Sequence, residues 1–293
     1  MSTGDEVHRI VQVSDTHISA NRAYFLDNWD VFVDLMKADP PDLIVHSGDL
    51  SFDGAGDADD LAFAAREQAR LAEPWLTIPG NHDIGESHAA IRLEQPTNRE
   101  RRSAWARHFG EAYWLHDIGA WRLVGLDTSL MGCETPEEMA QRSFFENALS
   151  TRGTRPVLLF QHMPPYLTKA DDAAFTALAV PHSARKWLLE TALAGGVVAI
   201  SCGHVHVYRH LEYRGLQIVW APSTSFVNIA ERQSAGLGIP RTGYIEWSLR
   251  VTGLEHRLVE PPLMIAHDVG AWNRAHGSTT KMPPRPAREG RCS

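Results

Sequence analysis

The sequence predicts an α/β fold on three observations: short runs of β-branched and aliphatic residues, helix-period segments between several of them, and polar residues concentrated where the runs end. The runs are HRIVQVS (8–14), DLIVHS (42–47), PWLTIP (74–79), WRLVGLD (121–127), PVLLFQH (156–162), GVVAISC (196–202) and LQIVWA (216–221). Each has the length and composition of a strand. Segments 28–38, 57–72, 136–149 and 182–194 space their apolar residues as helices do, and alternating β and α segments imply a layered architecture.

Near-continuous apolar strands belong to sheets covered on both faces, and in open α/β sheets ligands collect beyond the carboxyl ends of the strands. The first run leads into SDTH, the second into SGDL, the third into GNHD, the fifth into QHMP and the sixth into CGHVH. Asp15 and His17 stand two apart, so a strand continuing through them would point both to one face, and His204 and His206 have the same relation. With Asp49, Asn81 and His162 they make seven candidate metal ligands: two carboxylates, one amide oxygen and four imidazoles. That set is too large for one ion and suits two divalent transition-metal ions. Mixed imidazole and carboxylate donors favour manganese, iron, zinc or cobalt over magnesium or calcium, and the lack of thiolates argues against a structural zinc cage. Singly each motif is weak, since Gly-Asp after a strand is often turn chemistry and a lone histidine is often a satisfied core group. Their placement at five strand ends carries the reading.

Neighbouring residues have plainer readings. By alternation with Ser47, His46 points toward packing or toward support of a ligand, Asp83 suits a turn or helix N-cap, and Cys202 suits a buried strand thiol. Gly203 permits a close backbone turn. Residues 84–112 form an insert whose second part is rich in arginine, with Trp105 and Phe109 on one helical face and Arg99, Arg102 and Arg107 largely elsewhere. A packed aromatic pair under a solvated face is the simpler account, and an anion-steering lid the functional one. Tyr24, Phe25, Tyr166 and Phe226 follow motif strands and stand between stacking on a nucleobase and packing.

Composition bounds the rest. The 293 residues, 43% hydrophobic and 22% charged, are those of a globular chain, and the default is one domain with a Pro-rich tail after about residue 260. A formal net charge of −8 disfavours a nucleic-acid polymer as partner, because bulk binding to phosphates needs lysine and arginine. No signal pattern or membrane span is visible, and three cysteines do not make a disulfide framework, so the expected setting is cytoplasmic with no membrane partner. A homo-oligomer is left open.

The series Asp15-x-His17, Gly48-Asp49, Gly80-Asn81-His82, His162, Gly203-His204-x-His206 resembles the calcineurin-like metallophosphoesterase superfamily over residues 8 to about 250. Short inserts and the GNHD wording are similar to the bacterial class III cyclic nucleotide phosphodiesterases and glycerophosphodiesterases. The resemblance implies a four-layer α/β/β/α sandwich, a metallophosphoesterase domain over 1–260 with 84–112 as insert or lid, and a tail over 261–293. It implies that Asp15, His17 and His206 hold one ion, that Asn81, His162 and His204 hold the other, and that Asp49 bridges them. His82 matches the catalytic histidine, which meets the substrate and not the metal. The implied activity is hydrolysis of a small phosphate ester, a 3′,5′-cyclic nucleotide or glycerophosphodiester, by a hydroxide shared between the ions. The rivals are a phosphomonoesterase or nuclease of the same superfamily, and an interaction scaffold, against which the intact ligand set argues. One departure stands out: some members place an aspartate three residues after the bridging one to orient the catalytic histidine, and here Phe52 occupies that place with Asp53 following.

Overall fold

The computed structural model describes residues 6–72, 74–87, 95–174, 176–238 and 240–277. In chain order the first elements are β1 (His8–Val13), α1 (Leu26–Ala38), β2 (Leu43–His46), α2 (Ala58–Gln68), β3 (Trp75–Thr77), α3 (Asn81–Ile84) and α4 (Arg99–Phe109). There follow β4 (Trp114–Ile118), β5 (Trp121–Leu126), α5 (Pro136–Ser150), β6 (Val157–Gln161), α6 (His182–Ala194), β7 (Val197–Cys202), β8 (Arg209–Tyr213) and β9 (Leu216–Trp220). The last are β10 (Phe226–Val227), α7 (Ile229–Ser234), β11 (Tyr244–Arg250), β12 (Gly253–Val259), β13 (His267–Asp268) and α8 (Val269–His276).

Two sheets carry the molecule, one ordered β12-β11-β1-β2-β3 and the other β4-β5-β6-β7-β9-β8. The central strands run parallel, whereas β11, β12, β4 and β8 add in antiparallel fashion toward the edges. Strand alternation sorts side chains into layers. Ile10 of β1 and Leu158 and Phe160 of β6 enter a core shared by both sheets, with Ile245 and Trp247 of β11. Val11 and Val13 face the opposite way, onto Trp29, Phe32 and Leu61 of α1 and α2. Val157 and Leu159 turn to Phe145 and Leu188 of α5 and α6. Three buried cores between four layers make the expected α/β/β/α sandwich.

Residues 99–109 of the arginine-rich insert form α4, and Trp105 packs fully buried with its ring 4.4 Å from that of Phe109. Beyond residue 260, His267 and Asp268 pair with Phe226 and Val227, and α8 follows. The remaining part of the expected tail, 278–293, and residues 88–94 of the insert lie outside the described residues. No helix among the described residues is long and apolar enough to cross a membrane.

Candidate metal centre

The motif residues do not meet by strand alternation. β1 stops at Val13 and β7 at Cys202, and the backbone beyond turns left-handed at Asp15 (φ 55°), His17 (φ 44°), Asp49 (φ 54°), His204 (φ 69°) and His206 (φ 57°). Such a conformation costs an L-residue about 1–2 kcal/mol, and it persists where surrounding contacts over-determine it. Here Asp15 N donates to Gly48 O at 3.0 Å and His17 N to Asp49 O at 3.1 Å. Ser223 Oγ and Ser225 Oγ donate to Asp15 O at 3.0 and 2.6 Å. Two glycines make the approach sterically feasible. A Cβ on Gly203 would stand 1.9 Å from Ser14 Oγ and 2.4 Å from Asp15 Oδ2, and one on Gly48, whose φ is 101°, would stand 2.4 Å from His162 Nδ1.

The structure brings all seven expected ligands into one cluster. His206 Nε2 lies 3.2 Å from Asp15 Oδ1 and 3.3 Å from His17 Nε2. Across the cluster, His162 Nε2 lies 3.2 Å from both Asn81 Oδ1 and His204 Nδ1. Asp49 stands between the groups, its Oδ2 3.2 Å from His162 Nε2 and 3.8 Å from His17 Nε2. The donor atoms of Asp15, His17 and His206 fall within 4.8 Å of one another, as do those of Asp49, His162 and His204. A third set, His17, Asp49 and His82, overlaps both.

The hydrogen bonds around the histidines show that this set fits cations. His162 Nδ1 bonds Ser47 O at 2.9 Å, His204 Nε2 bonds Ala177 O at 2.9 Å, and His206 Nδ1 bonds Phe226 O at 2.8 Å. A carbonyl only accepts, so each of these nitrogens carries a proton, and whenever the ring is neutral its inner nitrogen presents a lone pair. With the rings neutral, three such lone pairs, two carboxylates and an amide oxygen would converge in a buried space, acceptor facing acceptor, and a proton on His162 or a cation is needed between them. Cations between them remove that repulsion, and the mixed nitrogen and oxygen set suits transition metals.

Electrostatics carry the same demand for positive charge. Burial opposes charge on His162, yet Asp49 overrides it and pushes the pKa up to about 9. Burial likewise opposes ionisation of Asp49 and Asp15, but His162 and His82 hold the first, and His206 the second, below the usual carboxylate range. Burial, with His162 beside it, pushes His204 down to about 4.

The supporting residues occupy the roles their positions predict, with more detail than sequence allows. His46 is fully buried, its Nε2 2.9 Å from Thr16 Oγ1, between the ligands Asp15 and His17. Asp83 accepts from Leu50 N, Ser51 N, Ser51 Oγ and Gly80 N at 2.7–3.1 Å, tying the loop of Asp49 to the turn of Asn81. Cys202 is a buried thiol in the core behind the site. His82 is oriented by main chain: its Nδ1 bonds Phe52 O at 2.6 Å, and its own N–H donates to Asp49 Oδ1 at 2.8 Å. The backbone of Phe52 thus fills the place of the missing aspartate, while Asp53 pairs with Arg22 at 3.3 Å.

A cleft of about 220 Å³ opens over the cluster, lined by Asp49, Asn81, His82, Glu86, Ala177, Leu178, His204, His206, Phe226, Asn228 and Arg232. Of the aromatic residues weighed for stacking, Phe226 lines it, whereas Tyr24, Phe25 and Tyr166 are buried in packing clusters. From the insert Glu86 reaches the cleft, and Arg102 instead pairs with Glu137 at 3.1 Å. Sequence reasoning missed Asn228, Arg232 and the carbonyls of Ser47, Ala177 and Phe226. A main-chain acceptor has no residue signature, and Asn228 and Arg232 sit at the N-cap and within α7, a short helix that no motif marks.

The pattern defining the calcineurin-like phosphoesterases matches residues 8–208, which contain all seven candidate ligands and His82. The chain belongs to the calcineurin-like phosphoesterase family. As a member it is a phosphoester hydrolase. It is 24% identical over 290 residues to a probable glycerophosphodiester phosphodiesterase, GpdQ, of Arcobacter nitrofigilis, covering 92% of this chain and 91% of the relative. To the 3′,5′-cyclic adenosine monophosphate phosphodiesterase CpdA of Escherichia coli it is 27% identical over 233 residues, covering 75% and 78%. In fold this phosphoesterase resembles a dimetal phosphatase from Danio rerio with a TM-score of 0.56 and 14% identity, over 87% of this chain and 98% of the other.

Proposed function

We propose that this calcineurin-like phosphoesterase is a dinuclear metal enzyme that hydrolyses small phosphodiesters, 3′,5′-cyclic nucleotides or glycerophosphodiesters. The observation that carries the reading is the convergence of acceptors on both sides of Asp49, with His82 beside them. Asp15, His17 and His206 would hold one divalent ion, Asn81, His162 and His204 the other, and Asp49 both. Bound there, such ions neutralise phosphoryl charge and lower the pKa of water.

The chain's own residues do the remaining work. The carbonyls of Ser47, Ala177 and Phe226 fix the ring orientation and tautomer of three ligating histidines. His82, held at Nδ1 by Phe52 O, carries a proton at Nε2 to the leaving oxygen as its bond to phosphorus lengthens. Phe226 and Leu178 line the wall beside it. Two relatives that are named phosphodiesterases support the diester reading, and a cleft of about 220 Å³ supports a small substrate. The net charge of −8 disfavours a nuclease acting on polymers.

The test is hydrolysis by manganese-loaded enzyme of bis(p-nitrophenyl) phosphate against p-nitrophenyl phosphate, followed by cyclic AMP and glycerophosphocholine. A higher kcat/KM for the diester is expected. A tenfold or greater preference for the monoester would overturn the diesterase reading and leave a dimetal phosphomonoesterase.

A further inference from the structure

The cleft is lined by one lysine or arginine among the described residues, Arg232. It enters from α7, and its side chain is only 14% exposed. Its Nε donates to Val205 O at 3.0 Å, so the guanidinium is anchored to the residue between His204 and His206. That single bond fixes the plane of the fork. Among the described residues neither Nη atom donates a hydrogen bond, and the ion pair with exposed Glu231 is long, at 3.8 Å. Burial lowers the Arg232 pKa, with Glu231 and Asp15 acting in the other direction, yet guanidinium stays charged at any working pH. At 14% exposure little water reaches the guanidinium, and its Nη donors remain able to meet an acceptor in the cleft. The same wall carries Asn228, whose Nδ2 bonds Glu231 Oε2; this draws Glu231 toward Asn228 as well as Arg232.

We propose that Arg232 forms a second anion subsite, which binds a carboxylate or phosphate carried by the substrate beyond its scissile phosphorus. This rests on the phosphoesterase reading above and favours, among the glycerophosphodiesters it names, those whose alcohol carries a second negative charge, over cyclic AMP and glycerophosphocholine, which carry none. A planar fork held at one nitrogen is suited to pairing with such an anion through its remaining donors.

The experiment compares propylphosphonate with 3-phosphonopropionate, near-isosteric ligands that differ by a terminal carboxylate, by calorimetric titration of manganese-loaded wild type and Arg232→Gln. Metal content is measured for both proteins. Wild type is expected to bind the carboxylate-bearing ligand about tenfold more tightly. In Arg232→Gln that ratio falls to about one, with propylphosphonate affinity changed less than threefold and metal content unchanged. Arg232→Lys, which keeps the charge but not the fork, recovers part of the ratio. A ratio of one in wild type, or the same ratio in both proteins, overturns the subsite. Equal weakening of both ligands in the variant, or lost metal, also overturns it and leaves Arg232 as a support for Val205. Failure of wild type to hydrolyse any phosphate ester would sink the enzymatic reading separately, since these titrations read binding alone.

Discussion

His82 differs from the four candidate ligand histidines in what holds it. Its ring is fixed from the Phe52 carbonyl and its main chain from Asp49, so removing the imidazole leaves the partners of His162, His204 and His206 in place. Its ring centroid lies 4.5 Å from that of His17 in an edge-on arrangement, and its donor atom also falls within 4.8 Å of those of His17 and Asp49, so metal content must be read beside activity. His82→Ala should retain its bound metal and lose turnover. Loss of a general acid costs ~10²–10⁴-fold, and it costs least where the leaving group departs without a proton. The comparison is kcat on nitrophenyl and alkyl esters, with metal stoichiometry on the same samples. Equal losses on both esters, or loss of metal, would make His82 a ligand or a packing residue.

Among elements, legibility followed burial and chemistry. The runs at 8–14, 42–47 and 156–162 became β1, β2 and β6 because both faces of these strands are covered, which leaves an apolar signature. β4, β8 and β12 alternate half-buried and exposed residues, as in WLHDI, RHLEY and GLEHRLV, and their charges hide them at sheet edges. β11 is mostly buried, but Glu246 interrupts it; the structure pairs that carboxylate with Arg9 at 3.0 Å and Arg257 at 2.8 Å. The candidate ligands were legible because their side chains carry the chemistry, whereas the left-handed turns that bring them together carry little residue signal outside Gly48. β5 shows the converse. It leads into Asp127, a polar residue at a strand end like the others, yet this one caps the 3₁₀ turn Thr128–Leu130 by accepting from Ser129 N at 2.8 Å. Burial pushes its pKa up to about 6. A carboxyl raised in the folded state contributes stability fully present below its unfolded pKa of ~3.9, and this is lost as pH rises through about 6. Asp127→Asn keeps the capping oxygen and cannot ionise. The variant should therefore gain on wild type between pH 4 and pH 8 by on the order of 2–3 kcal/mol. Denaturant unfolding of both proteins across that range checks it; parallel stability curves would show that Asp127 ionises normally.

At the scale of the molecule, the candidate centre lies on the seam between the two sheets. Asp15 and His17 follow β1, Asp49 follows β2 and Asn81 follows β3, all in the five-stranded sheet, whereas His162, His204 and His206 follow β6 and β7 in the six-stranded one. Asp49 from the first sheet meets His162 from the second at 3.2 Å, and Asp15 meets His206 at 3.2 Å. Ions bound here tie the sheets together at their carboxyl ends, where the core of Ile10, Leu158 and Phe160 gives way to polar groups. They also relieve the repulsion among converging acceptors, a cost that unfolding would otherwise release. A ligand that binds only the folded state stabilises it by RT ln(1 + [L]/Kd), about 2.7 kcal/mol at a hundred times Kd. For a chain of 293 residues that corresponds to a shift in Tm of roughly 4–5 °C. Chelation of the metal-loaded protein should lower Tm by about that much, and manganese should restore it in a concentration-dependent way. Asp49→Asn, which weakens the residue shared by both groups, should shrink the shift and also lower the metal-free Tm, because it leaves the buried charge on His162 without its partner at 3.2 Å. Melts followed by circular dichroism, with and without chelator, decide the matter. An unchanged Tm on removal of bound metal would mean that the seam is held by the cores alone and that any ions serve only the chemistry.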